Sequence, residues 1–155
     1  MSRRAEIQMT DEEVSAFLNE QRVVVCATNG RDGWPHLMPL WYLVRDGVVW
    51  AWTYAKSQKV RNLERDARAT LVLEDGYDYS ELRGVMIRAR CRIHRDLDTV
   101  GGVGEDLAVR YSGEDGGAGP EAREAFARQA PKRVALEFVA ESTATWDHRK
   151  LSGGY

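Results

Sequence analysis

The sequence predicts a mainly β fold, an antiparallel barrel with peripheral helices, on three observations. Short β-branched and aromatic runs recur along the chain, joined by turn signals of two to five residues. One run, "GVMIRARCRIHRD" (84–96), alternates cleanly: Ile87, Ala89, Cys91 and Ile93 fall on one face, and Arg88, Arg90 and Arg92 on the other. Helical periodicity is confined to a few segments between or before such runs.

Taken in order, "TDEEVSAFLNEQ" opens with Thr10 and places Glu13 three residues later, a capping-box pattern, with Val14, Phe17 and Leu18 on one helix face. "VVVCATN" (23–29) is a first strand and "GRDG" (30–33) a turn. "PHLMPLWYLV" (35–44) reads as a second strand containing Pro39, which cannot donate to a ladder and so marks an edge, a bulge or a bend. "RDG" (45–47) makes a hairpin turn into "VVWAWTY" (48–54). A helix "QKVRNLERD" leads to the strand "ATLVLE" (69–74), and the alternating run follows. Residues 97–130 read as two helices separated by "SGEDGGAGP", and "KRVALEFVAESTATW" (132–146) is a long last strand.

At 155 residues the chain is read as one domain, 1–155, with residues 1–9 as a flexible N-terminal lead-in. Hydrophobic residues make up 43% and charged residues 30%, an ordinary globular balance. The net charge of -2 argues against nucleic acid as a partner. Cys26 and Cys91 sit in apolar runs without metal spacing, as reduced thiols of a cytoplasmic protein do. No apolar run reaches the roughly 20 residues of a membrane span. "MSRRAEIQMTDEE" has a basic pair with no apolar stretch behind it, unlike a signal peptide. His36, His94 and His148 lack ligand spacing, so no metal site is expected, and no Ser-His-Asp set can be assigned.

The stretch "WTYAKSQKVRNLERDAR" (52–68) carries the chemistry. Thr53, Ser57, Lys59 and Arg61 fall where a strand ends and a helix begins. A helix start offers free N–H groups and a positive dipole end, and hydroxyls and cations beside it make a phosphate cradle. The same spacing also fits a solvated basic face on a surface helix. There is no Gly-rich Walker pattern, and "GGVGED" (101–106) lacks the third glycine of a dinucleotide fingerprint.

The order of elements, centred on "PHLMPLWYLVRDGVVWAWTYAKSQKVRNLERDARATLVLE", resembles the flavin-binding split β-barrel proteins typified by pyridoxamine 5'-phosphate oxidase. It resembles more closely their actinobacterial branch, the B-type flavin/deazaflavin oxidoreductases, and "TWDHRKLSGGY" fits that branch. The resemblance covers roughly residues 10–150, and its most specific piece is the "T…SxKxRNL" run of residues 53–63. It implies an antiparallel split β-barrel that forms a homodimer with two sites at the interface. It implies that Thr53, Ser57, Gln58 and Lys59, with Arg61 nearby, hold the cofactor phosphate. Leu37, Met38, Pro39 and Leu40 would lie along the flavin-type ring, and Trp146 of the partner would close the pocket.

One departure bears on the cofactor. The oxidase proper keeps an "RxVLLK"-type run in its second strand, and this chain has "HLMPLW" there, with no positive charge. That disfavours FMN and pyridoxamine phosphate oxidation. It favours coenzyme F420, which the branch with a "KxRNL" helix often uses. The implied activity is hydride transfer from reduced deazaflavin to a hydrophobic quinone- or enone-like molecule, with no catalytic residue assigned. The alternatives are an FMN-dependent oxidase-like enzyme and a non-catalytic cofactor or haem carrier. Trp50 and Trp52 pack a barrel or dimer face. Arg88, Arg90 and Arg92 form either a salt-bridged strand face or a hold for an anionic cofactor tail.

Overall fold

The computed structural model describes residues 2–112 and 119–151. Seven strands form one antiparallel sheet: β1 Val24–Asn29, β2 Pro35–Leu40, β3 Tyr42–Arg45, β4 Val48–Tyr54, β5 Arg68–Asp75, β6 Arg83–His94 and β7 Arg133–Asp147. Their order across the sheet is β2-β1-β5-β6-β7-β4-β3. The helices are α1 Arg3–Glu6, α2 Asp11–Glu20, α3 Gln58–Arg65, α4 Leu97–Tyr111 and α5 Pro120–Gln129.

The run expected as one strand over 35–44 is two strands, and they occupy opposite edges of the sheet. Trp41 alone joins them, so the sheet must curl until Leu40 and Tyr42 sit side by side. This single residue makes the half-barrel. Pro39 lies in edge strand β2 opposite Val25, where a missing donor costs nothing. The ring of Trp41 stacks on Tyr111 of α4 at 4.5 Å, and the Tyr111 hydroxyl accepts the Tyr42 N–H at 3.0 Å. Asp46 and Gly47 both take positive φ (50° and 76°), the backbone a two-residue hairpin between β3 and β4 requires.

Inside the curl, alternate residues of the strands pack with Phe17 and Leu18 of α2 and Val60 and Leu63 of α3. Helix α2 starts with both bonds of its capping box, Glu13 N–H to Thr10 Oγ1 at 3.2 Å and Thr10 N–H to Glu13 Oε2 at 2.7 Å. Its far end is tied to β6 by the Arg83–Glu20 ion pair, while α3 is tied to the end of β1 by Asn62 and Thr28. The two helices therefore close opposite ends of the sheet. Of residues 1–9, expected as a flexible lead-in, the described ones (2–9) include α1 and are bonded to β7: Asp147 N–H reaches Ile7 O at 2.7 Å and Met9 N–H reaches Thr145 Oγ1 at 2.9 Å.

Strand β6 keeps the expected alternation, and Arg88, Arg90 and Arg92 are exposed while Ala89 and Cys91 are buried. Glu141 of β7 is an extra residue between the pairs Arg88–Ser142 and Ala89–Ala140, a bulge that bends both strands. A second core lies outside the curl, where Val100, Val103 and Leu107 of α4 cover Leu43, Trp52 and Ala135. The two expected helices of 97–130 are α4 and α5, and most of the segment expected to separate them lies outside the described residues.

Candidate functional site

Strand β4 ends at Thr53 and Tyr54, and the chain turns through Ala55 and Lys56 into Ser57, the N-cap of α3. Ser57 has extended backbone (φ -68°, ψ 154°), and its carbonyl accepts the Arg61 N–H at 3.2 Å, which closes the first turn. Its hydroxyl makes no capping bond, and Oγ is buried without a partner among the described residues. The N–H groups of the first turn of α3 have no intrahelical acceptors. An unpartnered hydroxyl thus sits beside unpartnered N–H groups at the positive end of a helix.

Asn62 fixes this helix end to the sheet. It is fully buried, donates to Thr28 Oγ1 at 3.1 Å and accepts from Gln58 Nε2 at 2.9 Å. Lys59, expected on an exposed helix face, is buried instead, and its Nζ donates to Thr53 Oγ1 at 3.1 Å. The cause is geometric: Lys59, Val60, Asn62 and Leu63 form the stripe of α3 that faces the sheet. Burial lowers the Lys59 pKa, the nearby Arg133 charge lowers it further, and Cys26 opposes both. Burial also pushes the Cys26 thiol up to about 12, which keeps it neutral and inert.

Beside the start of α3 is an open hollow of about 480 Å³, bordered by Arg31, Trp34 and His36 of the β1–β2 hairpin and by Gln58 and Asn62. A neighbouring hollow of about 580 Å³ shares Arg31 and Gln58 and adds Arg61, Glu64 and Arg65. Arg31 and Arg61 make no ion pair among the described residues, whereas Arg65 bonds to Asn29 O. His36 Nδ1 is buried without a partner among the described residues. Sequence reasoning passed over Arg31 and Trp34 and set His36 aside. Nothing in a one-dimensional string brings a hairpin turn against a helix start some 25 residues later.

Thr53, Ser57, Gln58, Lys59 and Arg61 are therefore gathered around one helix end. The β2 residues divide by face. Leu40 is in the core, Met38 shares its side of the sheet at the exposed rim, and Leu37 and Pro39 point outward. Trp146 is not near α3 within one chain. It lies at the other end of the sheet, packed on Gly84. Arg90 pairs with Glu141 at 2.5 Å and Arg92 with Glu137 at 3.5 Å, so two of the three strand arginines are in ion pairs. The described residues include no group of three or more His, Cys, Asp or Glu placed to hold a metal ion.

Comparison with known proteins fits this architecture. A family profile described as pyridoxamine 5'-phosphate oxidase matches residues 10–147. A conserved hypothetical protein of Mycobacterium tuberculosis, of known structure, is 39% identical with a TM-score of 0.87, over 100% of this chain and 98% of its own. An F420 reductase (19% identity, TM-score 0.64, covering 84% of this chain and 94% of its own) shares the fold. So does a FAD-binding protein from Mesorhizobium loti (17%, TM-score 0.67, covering 89% and 94%). A search of curated proteins returns no match. With a curled antiparallel sheet, a basic helix start beside it and a family match over nearly its whole length, this chain belongs to the pyridoxamine 5'-phosphate oxidase family.

Proposed function

We propose that this chain is an F420-dependent oxidoreductase acting on an electron-poor, quinone- or enone-like small molecule in the cytoplasm. The observation that carries this is the buried Ser57 hydroxyl, left without a partner at the start of α3. A phosphate oxygen placed there would accept from Ser57 Oγ and from the first N–H groups of the helix. Gln58, the residue after Ser57, borders the adjoining hollow with Arg31 and Arg61, which supply charge, and Lys59 donates to Thr53 at the end of β4. These residues fit an anionic cofactor. When bound, the reduced deazaflavin supplies the hydride; the chain binds, orients and excludes water.

The choice of F420 over FMN rests on β2, where Pro35–Leu40 carries no lysine or arginine for a doubly charged phosphate. The F420 reductase of the same fold is consistent with this choice. Leu37, Met38, Pro39 and Trp41 offer apolar surface along β2 for the ring and a flat acceptor. FMN is the second reading, favoured by Arg31 and Arg61, which make no ion pair among the described residues.

The functional unit in this proposal is a homodimer. Helix α4 covers the outer face of β3, β4 and β7, and among the described residues no hydrophobic cluster covers the outer face of β2, β1, β5 and β6. That face carries Val25, Leu37, Pro39, Val72 and Met86 in register across four strands. A second copy seated there would bury the apolar surface and bring its own Trp146 toward the ring. Parallel titrations with F420 and FMN test the cofactor, and FMN binding as tight as F420 would overturn it. Sedimentation tests the dimer, and a stable monomer at micromolar concentration would count decisively against it.

A further inference from the structure

We propose that His36 is an anion ligand of this site, holding a phosphate oxygen through a protonated Nδ1, so that ligand affinity depends on pH. This rests on reading the hollow beside α3 as the seat of the cofactor phosphate. The other two histidines are engaged: His94 Nε2 meets Glu137 Oε2 at 2.8 Å, and His148 Nδ1 meets Tyr79 O at 2.9 Å. His36 Nδ1 is buried and has no partner. A buried ring nitrogen without a hydrogen bond costs free energy that a ligand can recover.

His36 borders the same hollow as Gln58, and Gln58 follows Ser57, whose Oγ is also buried without a partner. Among the described residues, β2 and the start of α3, distant in sequence, thus each leave one buried polar atom unpartnered, and His36 and Gln58 border one hollow. A ligand that accepts from both is an oxyanion.

The groups facing His36 carry no net negative charge. Thr28 lies opposite it on β1, and Gln58 and Asn62 face it from α3; all three are uncharged. From the hairpin come the Arg31 cation and Asp32, whose Oδ1 accepts the Trp34 N–H at 3.1 Å. Arg61, Glu64 and Arg65 border the adjoining hollow. Arg31 and Asp32 offset each other, so the net counter-charge for a protonated His36 comes from the ligand. An anion beside the ring favours its charged form, so binding takes up a proton and weakens as pH rises.

The test uses sulfate, whose charge is constant over the range. Sulfate affinity of the full chain is measured by calorimetry from about pH 5.5 to about pH 8.5, for the parent, His36→Gln and His36→Arg. The parent should bind about tenfold more weakly at the alkaline end, since a charge-assisted bond becomes at best a neutral one. His36→Gln should bind weakly with no slope, and His36→Arg tightly with no slope. Sulfate should also shift the His36 ring signals in the NMR spectrum of the parent, a readout that needs no variant. A pH slope in His36→Gln equal to the parent's, or ring signals unmoved by sulfate, overturns the proposal even where F420 binds. Loss of the slope in His36→Gln supports it whichever cofactor the separate titrations select.

Discussion

Replacing Lys59 by methionine separates the charge of this residue from its bulk. The side chain is packed beneath α3 with 8% of the residue exposed, and Nζ donates to Thr53 Oγ1 at 3.1 Å. Lys59→Ala would remove three methylenes from a packed place, at about 0.8 kcal/mol each, and leave a cavity. A loss of about 2–3 kcal/mol, or roughly 5–10 °C in Tm for a chain of this size, would blur any binding result. Methionine keeps most of the volume. The Thr53 hydroxyl loses its donor, at about 1 kcal/mol, while removal of a buried amine acts in the opposite direction. The net change in stability at pH 7 should be within about 1 kcal/mol. Its pH dependence has a definite sign. Burial lowers the folded pKa of Lys59, so the parent gains stability as pH rises from that value toward the unfolded one near 10.4. Methionine should therefore compare best at neutral pH and lose ground in alkali. For binding, a charge-assisted bond is worth about 1.5–3 kcal/mol, so Lys59→Met should weaken F420 binding roughly 10- to 150-fold. Calorimetric melting and F420 titration on the same sample measure both effects. A folded Lys59→Met protein that binds F420 as tightly as the parent refutes the reasoning and leaves Lys59 as core packing alone.

Gly84→Ala would place a methyl group against the Trp146 ring, which packs directly on that glycine. We expect a loss of about 1–3 kcal/mol by chemical denaturation and a change in tryptophan emission; an unaltered midpoint would show that Trp146 is free to leave. Asp147 is buried, and the Arg149 hydrogen bond at 2.7 Å holds its carboxyl below the usual range although burial opposes it. A depressed folded pKa contributes stability that is complete above the unfolded value near 4 and is lost as pH falls below it. Asp147→Asn should thus lower the urea midpoint at pH 7, and that deficit should shrink progressively as pH falls below about 4; a deficit that stays the same size as the pH is lowered would exclude this account.

Much of the fold was legible where one local rule settles an element. The Thr10–Glu13 capping box is formed with both bonds, and the strand expected over 48–54 is β4 residue for residue. The alternation of 84–96 is realised in β6 over 83–94. The break at Trp41 was not legible, because an apolar run looks the same whether it continues a strand or crosses between sheet edges. The burial of Lys59 had a signal that went unused: Lys59, Asn62 and Leu63 share the i, i+3, i+4 spacing of a core stripe. Polar residues on such a stripe are buried in partnership, as the bonds to Thr53 and Thr28 show. Arg31 and Trp34 could not be found from their own surroundings, since a "GRDG" turn is ordinary hairpin chemistry and only the assembled sheet lays it beside α3.

The single-residue crossing at Trp41 has a mechanical consequence for the two exposed edges. A strand at the margin of a sheet is usually free to slip by one position, which turns every side chain to the opposite face. Here a slip of β2 along β1 would pull on β3, because no slack exists between Leu40 and Tyr42. Tyr42 is fully buried, and its hydroxyl bonds back to the end of α2, at Gln21 O, 2.9 Å away. Moving it would extract an aromatic ring from the core. The alignment of β2, and with it the side of the sheet on which Leu37 and Met38 stand, is thereby held by an anchor on the far margin of the same sheet.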